Sequence, residues 1–352
     1  MPKTHNRTRY GGWISLGAAA LMVPWSLVHA GRTIEEHRAA DPQGEVEIVN
    51  VSGSVEVDGW DRSEVEVTGT AGENVERIDV TGTGRHTTIR VASRTAHMWS
   101  ADGEARLVIH IPARSMITAT LVSADFNVSG VLGDQKLQSV SGNLSGDAGG
   151  DLHATTVSGN VRMTARGAKT IDVKTISGNI RLTGGGGEVD ITTVSGDASV
   201  ELGEVTRGRF KAISGDITAA LGLAADAQIE GEMVSGDINF KFAAMPSAEF
   251  DVQTVSGDIS NCFGPKPVES RYGPGSRLQF TTGDGRGRVR IDTKNGDVRL
   301  CAAGAGSHAS SLSVAQARPM PVAQARPMPV AQARPMPVAQ ARPMRMMLPY
   351  VF

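Results

Sequence analysis

Apolar and polar residues alternate along many short stretches of this chain. Ile171 and Val173 alternate with Asp172 and Lys174, and Ile180 and Leu182 flank Arg181. Such period-2 alternation marks a strand with one buried face. Between these two stretches the phase breaks at Thr175-Ile176, and Ser177-Gly178-Asn179 follows. Gly takes positive φ without steric cost, and Asn or Asp bonds nearby backbone, so the tripeptide predicts a tight corner. Each unit reads as two short strands around that corner, with a more variable corner elsewhere. Val189, Ile191, Val194, Ala198 and Val200 fit the same template of inward residues, as do Phe250, Val252, Val255 and Ile259.

The unit recurs. Val194-Ser195-Gly196-Asp197 returns as Ile213-Ser214-Gly215-Asp216, Val234-Ser235-Gly236-Asp237 and Val255-Ser256-Gly257-Asp258. Upstream copies carry Asn143, Asn160 and Asn179 in place of Asp. A degenerate first copy ends at Asp125, and a last one is Asn295-Gly296-Asp297. A period near 20 residues indicates stacked rungs, because one unit cannot bury its apolar face alone. The expected fold is all-β: a β-solenoid of ~20-residue rungs whose backbones pair ~4.8 Å apart, with no helix after residue 30. Aromatic residues are only 4% of the chain, which suits a narrow Val, Ile, Leu and Ala interior.

Four regions follow. Residues 1–30 read as a signal peptide: Lys3, Arg7 and Arg9 precede a short apolar run, and Val28-His29-Ala30 offers small residues for cleavage. Residues 31–121 are β-rich but irregular, and are expected to cap the solenoid or pack on its end. Within them Val46, Ile48 and Val51 before Ser52-Gly53-Ser54 already resemble the later repeats. Residues 122–301 form the repeat solenoid. There Leu278-Gln279-Phe280 and Val289-Arg290-Ile291 flank Gly283-Asp284-Gly285, a hairpin signal. Residues 302–352 are a small-residue linker and a Val-Ala-Gln-Ala-Arg-Pro-Met-Pro tract beginning at Val314, Val322, Val330 and Val338. Proline at that frequency blocks helix and ladder alike, so this tail is expected to be disordered.

Charge and cysteine usage sharpen the picture. All 37 acidic residues and 27 of the 35 Lys and Arg lie in residues 31–301, so the body is acidic, and the tail holds five Arg and no acid. An acidic body disfavours nucleic acid as a partner. Cys262 and Cys301 are the only two cysteines, at equivalent rung positions. In an exported protein they are expected to form a disulfide, which needs Cα atoms within ~7 Å. Adjacent rungs meet that limit, so the long final step is expected to be one rung carrying an insertion around Gly283.

Candidate chemistry is sparse. Asp197, Asp216, Asp237 and Asp258 are expected in four successive rungs, with Asp297 after the insertion. Stacked carboxylates repel, and a divalent cation would relieve them. The nine-residue calcium β-roll pattern is absent, however, and Asn substitutes freely, so turn capping is the preferred reading. There is no Gly-x-Ser-x-Gly elbow and no His-Glu-x-x-His. No catalytic residue and no cofactor is assigned. A glycan-active β-helix enzyme and a calcium-dependent structural module are the alternatives.

The repeated Val-Ser-Gly-Asp-Ile units, the leader and the turn Gly59-Trp60-Asp61 resemble the bacterial putative-adhesin family of β-strand-repeat proteins, a domain of unknown function. The resemblance spans about residues 40–301. It implies a right-handed β-helix-like fold exported to the periplasm, the cell surface or the medium. The expected role is that of a non-enzymatic adhesin or scaffold toward an envelope polymer or protein surface. No membrane span is expected once the signal is removed.

Overall fold

The computed structural model describes residues 32–72, 75–93, 104–269 and 274–303. The expected signal peptide and the expected disordered tail lie outside the described residues. Among the described residues there is no helix. The N-terminal part supplies β1 (Arg32–Ala39), β2 (Glu45–Trp60), β3 (Glu64–Ala71), β4 (Val75–Thr83), β5 (His86–Ser93), β6 (Ala105–Pro112) and β7 (Met116–Ser129). The middle supplies β8 (Gln135–Ser141), β9 (Leu144–Ala148), β10 (Leu152–Ser158), β11 (Val161–Ala165), β12 (Thr170–Ser177) and β13 (Ile180–Thr183). It continues with β14 (Gly187–Ser195), β15 (Ala198–Ser214), β16 (Ile217–Ser235) and β17 (Ile238–Phe242). The C-terminal part holds β18 (Ala248–Ser256), β19 (Ile259–Asn261), β20 (Val268–Glu269), β21 (Ser276–Thr281), β22 (Gly287–Asn295) and β23 (Val298–Ala302).

All belong to one hydrogen-bonded sheet, wound as a solenoid with two parallel walls. Strands before the Ser-Gly-Asp corner form the leading wall, and strands after it form the trailing wall. In the leading wall β8, β10, β12, β14 and the second half of β15 stack in register, so that Ile171 lies over Leu152 and under Val189. In the trailing wall β9, β11, β13 and the first half of β15 do the same. Inward side chains of the two walls meet in a single core, where Val173, Leu182, Ile191, Phe210 and Phe240 are completely buried.

The first complete rung is β2. It pairs in parallel with β7 from Glu45 opposite Met116 to Asp58 opposite Ser129, so the Val46–Val57 resemblance to the repeats is structural. On its other side β5 and β6 add one strand to each wall. The cap then changes direction: β4 is antiparallel to β5, β3 to β6, and β1 to β3. An antiparallel strand ends the parallel stack, and β1 exposes Arg32, Glu35, Glu36 and Arg38. Charges of this kind on an edge oppose further strand addition.

The C-terminal rungs are not stacked in chain order. The second half of β16 pairs with β22, not β18, with Glu230 opposite Arg290. β18 then pairs with the far side of β22, with Asp251 opposite Arg290. In the trailing wall β23 likewise lies between β17 and β19. The last rung of the sequence is thus the penultimate rung of the stack. The expected hairpin around Gly283 is not formed, because β21 and β22 lie on opposite sides of β18, antiparallel and parallel to it respectively. Residues 282–286 carry the chain across the start of β18. There the Thr282 N–H donates to Ala248 O at 2.9 Å and the Asp284 N–H to Ser247 Oγ at 3.0 Å.

The disulfide between Cys262 and Cys301 does link adjacent rungs, with a Cα–Cα distance of 4.9 Å. Aromatic packing concentrates at this end. Phe240 meets Phe210 edge-on with ring centroids 5.4 Å apart, and Phe250 stacks on Phe280 at 4.6 Å. Large rings fill the volume where β21 and the 263–267 connection close the core.

Candidate functional site: the repeat corner

The corner is built from three columns of equivalent residues. The first is glycine. Gly196 sits at φ +134° and Gly215 at +118°. A Cβ on Gly196 would drive into the carbonyl of Gly178, and one on Gly215 into that of Gly196. Close stacking of corner on corner, as much as dihedral freedom, therefore demands glycine. The Gly196 N–H donates to Ser214 O at 3.1 Å, continuing the ladder around the bend.

The second column is Asp and Asn. Their side chains reach the next rung rather than closing their own turn, which corrects the simple turn-capping expectation. Asp125 Oδ1 accepts the Asn143 N–H at 2.8 Å, Asn143 that of Asn160 at 3.1 Å, and Asn160 that of Asn179 at 3.0 Å. Asn179 accepts from Asp197, Asp197 from Asp216, and Asp216 from Asp237, each at 2.9 Å. Asp237 accepts from Asp297 and Asp297 from Asp258, both at 2.8 Å. Asp258 is therefore not the successor of Asp237; Asp297 stands between them. Each side chain except that of Asp258, the last of the ladder, engages one oxygen in this way, and the side chains are exposed. Among the described residues no group of three or more His, Cys, Asp or Glu is placed to hold a metal ion.

A shorter ladder serves the second corner. Asp134 Oδ1 accepts the Asp151 N–H at 2.9 Å, and Asp151 Oδ1 accepts those of Lys169 and Thr170 at 3.0 and 2.9 Å. Burial pushes the Asp151 carboxyl up. The backbone N–H groups of Thr170 and Lys169, the Thr170 hydroxyl and the nearby His153 together outweigh it and hold the group below its ordinary value.

The third column faces out and is apolar. Val122, Val140, Val157, Ile176, Val194, Ile213, Val234 and Val255 are all exposed, from 38% at Val194 to 56% at Val255. The expectation that Val194 and Val255 point inward is overturned. Strict alternation from Val189 and Ile191 places Thr193 inside, where it is buried, and Val194 outside. In the inserted rung the equivalent residue is Lys294, also exposed. A shallow groove of about 570 Å³ runs beside this row, lined in part by Val194, Lys211, Ile213, Glu232, Val234 and Lys294.

From β14 through β15, β16 and β22 to β18, the column Asp190, Arg209, Glu230, Arg290 and Asp251 on the outer face of the leading wall alternates in sign. Glu188 and Asp190 meet Arg207 and Arg209 at 2.8 and 3.3 Å, and Arg209 also meets Glu230 at 3.3 Å. Arg288 and Arg277 pair with Glu249 and Asp251 at 3.5 and 3.2 Å. Neither this alternation nor the outward row was extracted from the sequence, although both follow from counting by two along each strand.

Residues 44–301 match the family model described as Toastrack DUF4097. The chain belongs to the Toastrack DUF4097 family. Solved structures to which this Toastrack chain is similar include a putative adhesin from Parabacteroides distasonis, at 15% identity and TM-score 0.41, covering 77% of this chain and 98% of that one. A second putative adhesin, from Bacteroides fragilis, is 11% identical at TM-score 0.35, covering 76% and 96%. A putative cell adhesion protein from Clostridium sporogenes is 8% identical at TM-score 0.24, covering 77% and 100%. None of the curated proteins matches the chain. Among the described residues no helix is long and apolar enough to cross a membrane.

Proposed function

We propose that this protein is a non-enzymatic, exported envelope protein that works as an adhesin or scaffold through the flanks of its solenoid. The supporting observation is that its outward residues are arranged in repeated rows, one residue per rung, rather than in one singular cluster. Repetition of that kind suits contact with an extended polymer or protein surface. The charged leading wall offers alternating Arg and Glu or Asp rows at rung spacing, which an envelope polymer with regularly spaced polar groups would match. Export accords with the leader-like residues 1–30 and with the cystine at the C-terminal rungs.

Co-sedimentation of the purified protein with isolated peptidoglycan and with outer-membrane vesicles, at low and high salt, tests this reading. Salt-sensitive pelleting, reduced by neutralising Arg207 and Arg209, is the expected result. Absence of pelleting with every envelope fraction would overturn it.

A further inference from the structure

The outward apolar row lies outside the core, since its side chains point away from it. In the leading wall from β7 onward, the other outward positions of these strands are polar or charged, apart from Met116. Of the ten equivalent corner positions, Val51 in β2 is half-buried; eight of the nine exposed ones are nonetheless Val or Ile, with Lys294 the single exception. Their exposed area is on the order of 600 Å², at the upper end of what a monomeric surface leaves open. It also approaches the ~800 Å² that each partner contributes to a standard interface.

We infer that this row is a lateral self-association face, on which a second copy of the chain docks its own row to form an antiparallel, two-fold dimer. Three observations select that occupant. First, the row repeats at the rung spacing of ~4.8 Å. A second copy presents the same spacing, so every residue finds a partner in register. A single extended strand, advancing ~3.3 Å per residue, does not keep that register.

Second, growth through the ends of the stack is blocked. One end carries the charged antiparallel β1 and β4, and the other carries the three-residue β19 and β20, two residues long and preceded by Pro265 and Pro267. The side remains.

Third, the neighbouring column is divided by charge. In stack order it reads Asp125, Asn143, Asn160, Asn179, Asp197, Asp216, Asp237, Asp297, Asp258. After Asp125, neutral Asn occupies the N-terminal half, and Asp fills the C-terminal half. A two-fold axis at Val194, the middle of the nine exposed positions, sets Asp216, Asp237 and Asp297 of one copy beside Asn179, Asn160 and Asn143 of the other, leaving only Asp258 beside Asp125 and Asp197 beside its own copy as like-charge pairs. It also sets Lys294 opposite Val140, whereas a parallel pairing would oppose the two Lys294 residues. An isologous contact of this kind closes on itself and stops at two copies. The inference stands independently of envelope binding.

Cross-linking of the full-length protein tests the register. Val194→Cys lies at the axis and is expected to form a covalent dimer rapidly under mild oxidation. Val140→Cys, whose copy lies about six rungs, roughly 29 Å, away across the axis, is expected not to. A mixture of Ile176→Cys and Ile213→Cys proteins is expected to give the mixed dimer in excess of either homodimer. Light scattering over a concentration series should show a dimer for the wild type. Ile213→Glu should weaken it by about 100-fold while the monomer keeps the wild-type β-sheet circular-dichroism spectrum, as the side chain is exposed. A monomeric wild type at all concentrations, equal cross-linking at Val140 and Val194, or a dimer indifferent to Ile213→Glu would each overturn the inference. Failure of envelope pelleting would leave these outcomes unaffected, so the two readings fail separately.

Discussion

From β8 to β17 every rung rests on the rung before it in sequence; from β18 to β23 the last rung slips beneath its predecessor. Both regions use the same corner, the same Asp or Asn ladder and the same inward pattern. The motif therefore specifies that a segment is a rung, without specifying its neighbour. Outward charges distinguish the two arrangements. Stacked in chain order, β18 would place Asp251 against Glu230. The observed order interposes Arg290, in register with both. It creates one opposed pair, Glu232 against Asp292, but Lys211 lies 2.7 Å from Glu232 and Arg290 lies 2.8 Å from Asp292. Cross-strand pairs each contribute ~0.2–1 kcal/mol, so a few of them suffice to bias the order.

The hardest way to break the regular region is at its corner glycines. Gly196→Ala combines an unfavourable φ with a Cβ inside the Gly178 carbonyl, and should cost about 3 kcal/mol or more in chemical denaturation. Gly296→Ala meets the Gly236 carbonyl in the same way. It should act locally, however, releasing β18–β23 while the sequential rungs persist, because stability in a stack is a sum of neighbour terms. Hydrogen exchange resolved by strand separates these outcomes.

Removing the cystine sharpens the contrast. It closes a 39-residue separation entirely within the reordered region. Cys262→Ser with Cys301→Ser should cost about 2–4 kcal/mol, with exchange protection lost first in β19 and β23. Protection in β10–β13 should be unchanged.

The charge account of rung order makes its own prediction. Arg290→Glu would set a carboxylate in register between Glu230 and Asp251, and the melting midpoint should fall by a few degrees. Arg181→Glu lies in β13 with Arg162 and Ser199 as its register neighbours, and should leave the midpoint unchanged or raise it.

Acid should act on both regions, through different residues. Asp151 serves the regular stack. Asp284 lies on the crossing residues, where the Ser247 hydroxyl, ahead of the opposing effect of burial and with help from Arg286, holds it below its ordinary value. A carboxyl with a depressed folded-state value contributes stability that is complete above the unfolded value, near pH 4. That contribution disappears as pH falls through the folded value. Asp151→Asn should therefore flatten the acid limb of unfolding monitored in β8–β12, and Asp284→Asn that monitored in β21 and β22. Both variants should converge on the wild type at the acid extreme.

Much of this fold was legible in the sequence, for definite reasons. Glycine and Asx at fixed spacing announce corners, and two cysteines at matching rung positions announce a bond between neighbours. What was lost was lost by choosing inward residues by hydrophobicity. Counting from Ile171 through Val173 puts Thr175 inside and Ile176 outside, and the structure follows the count. The outward row disappeared from view with that choice. Rung order was missed because the Gly283 turn chemistry predicts a bend, while pairing across the bend depends on β18, a distant segment. The order of the Asp ladder, with Asp297 between Asp237 and Asp258, depends on the same insertion.

The inward threonines give the finest test of the two regions. Thr156, Thr175 and Thr193 are buried, and their hydroxyls have no hydrogen-bond partner among the described residues. At the reordered end the equivalent Thr254 donates its hydroxyl to Gly296 O at 3.1 Å, across to the inserted rung. A buried hydroxyl that makes a bond contributes about 1 kcal/mol, whereas replacing one without a protein partner by an isosteric methyl is nearly neutral or stabilising. Thr193→Val should thus shift the unfolding free energy by less than about 1 kcal/mol, toward stability, and Thr254→Val should lower it by about 1 kcal/mol. Equal effects at the two sites would mean that the Thr254–Gly296 bond does not help to hold the inserted rung. Its position would then rest on the outward charges and the cystine alone.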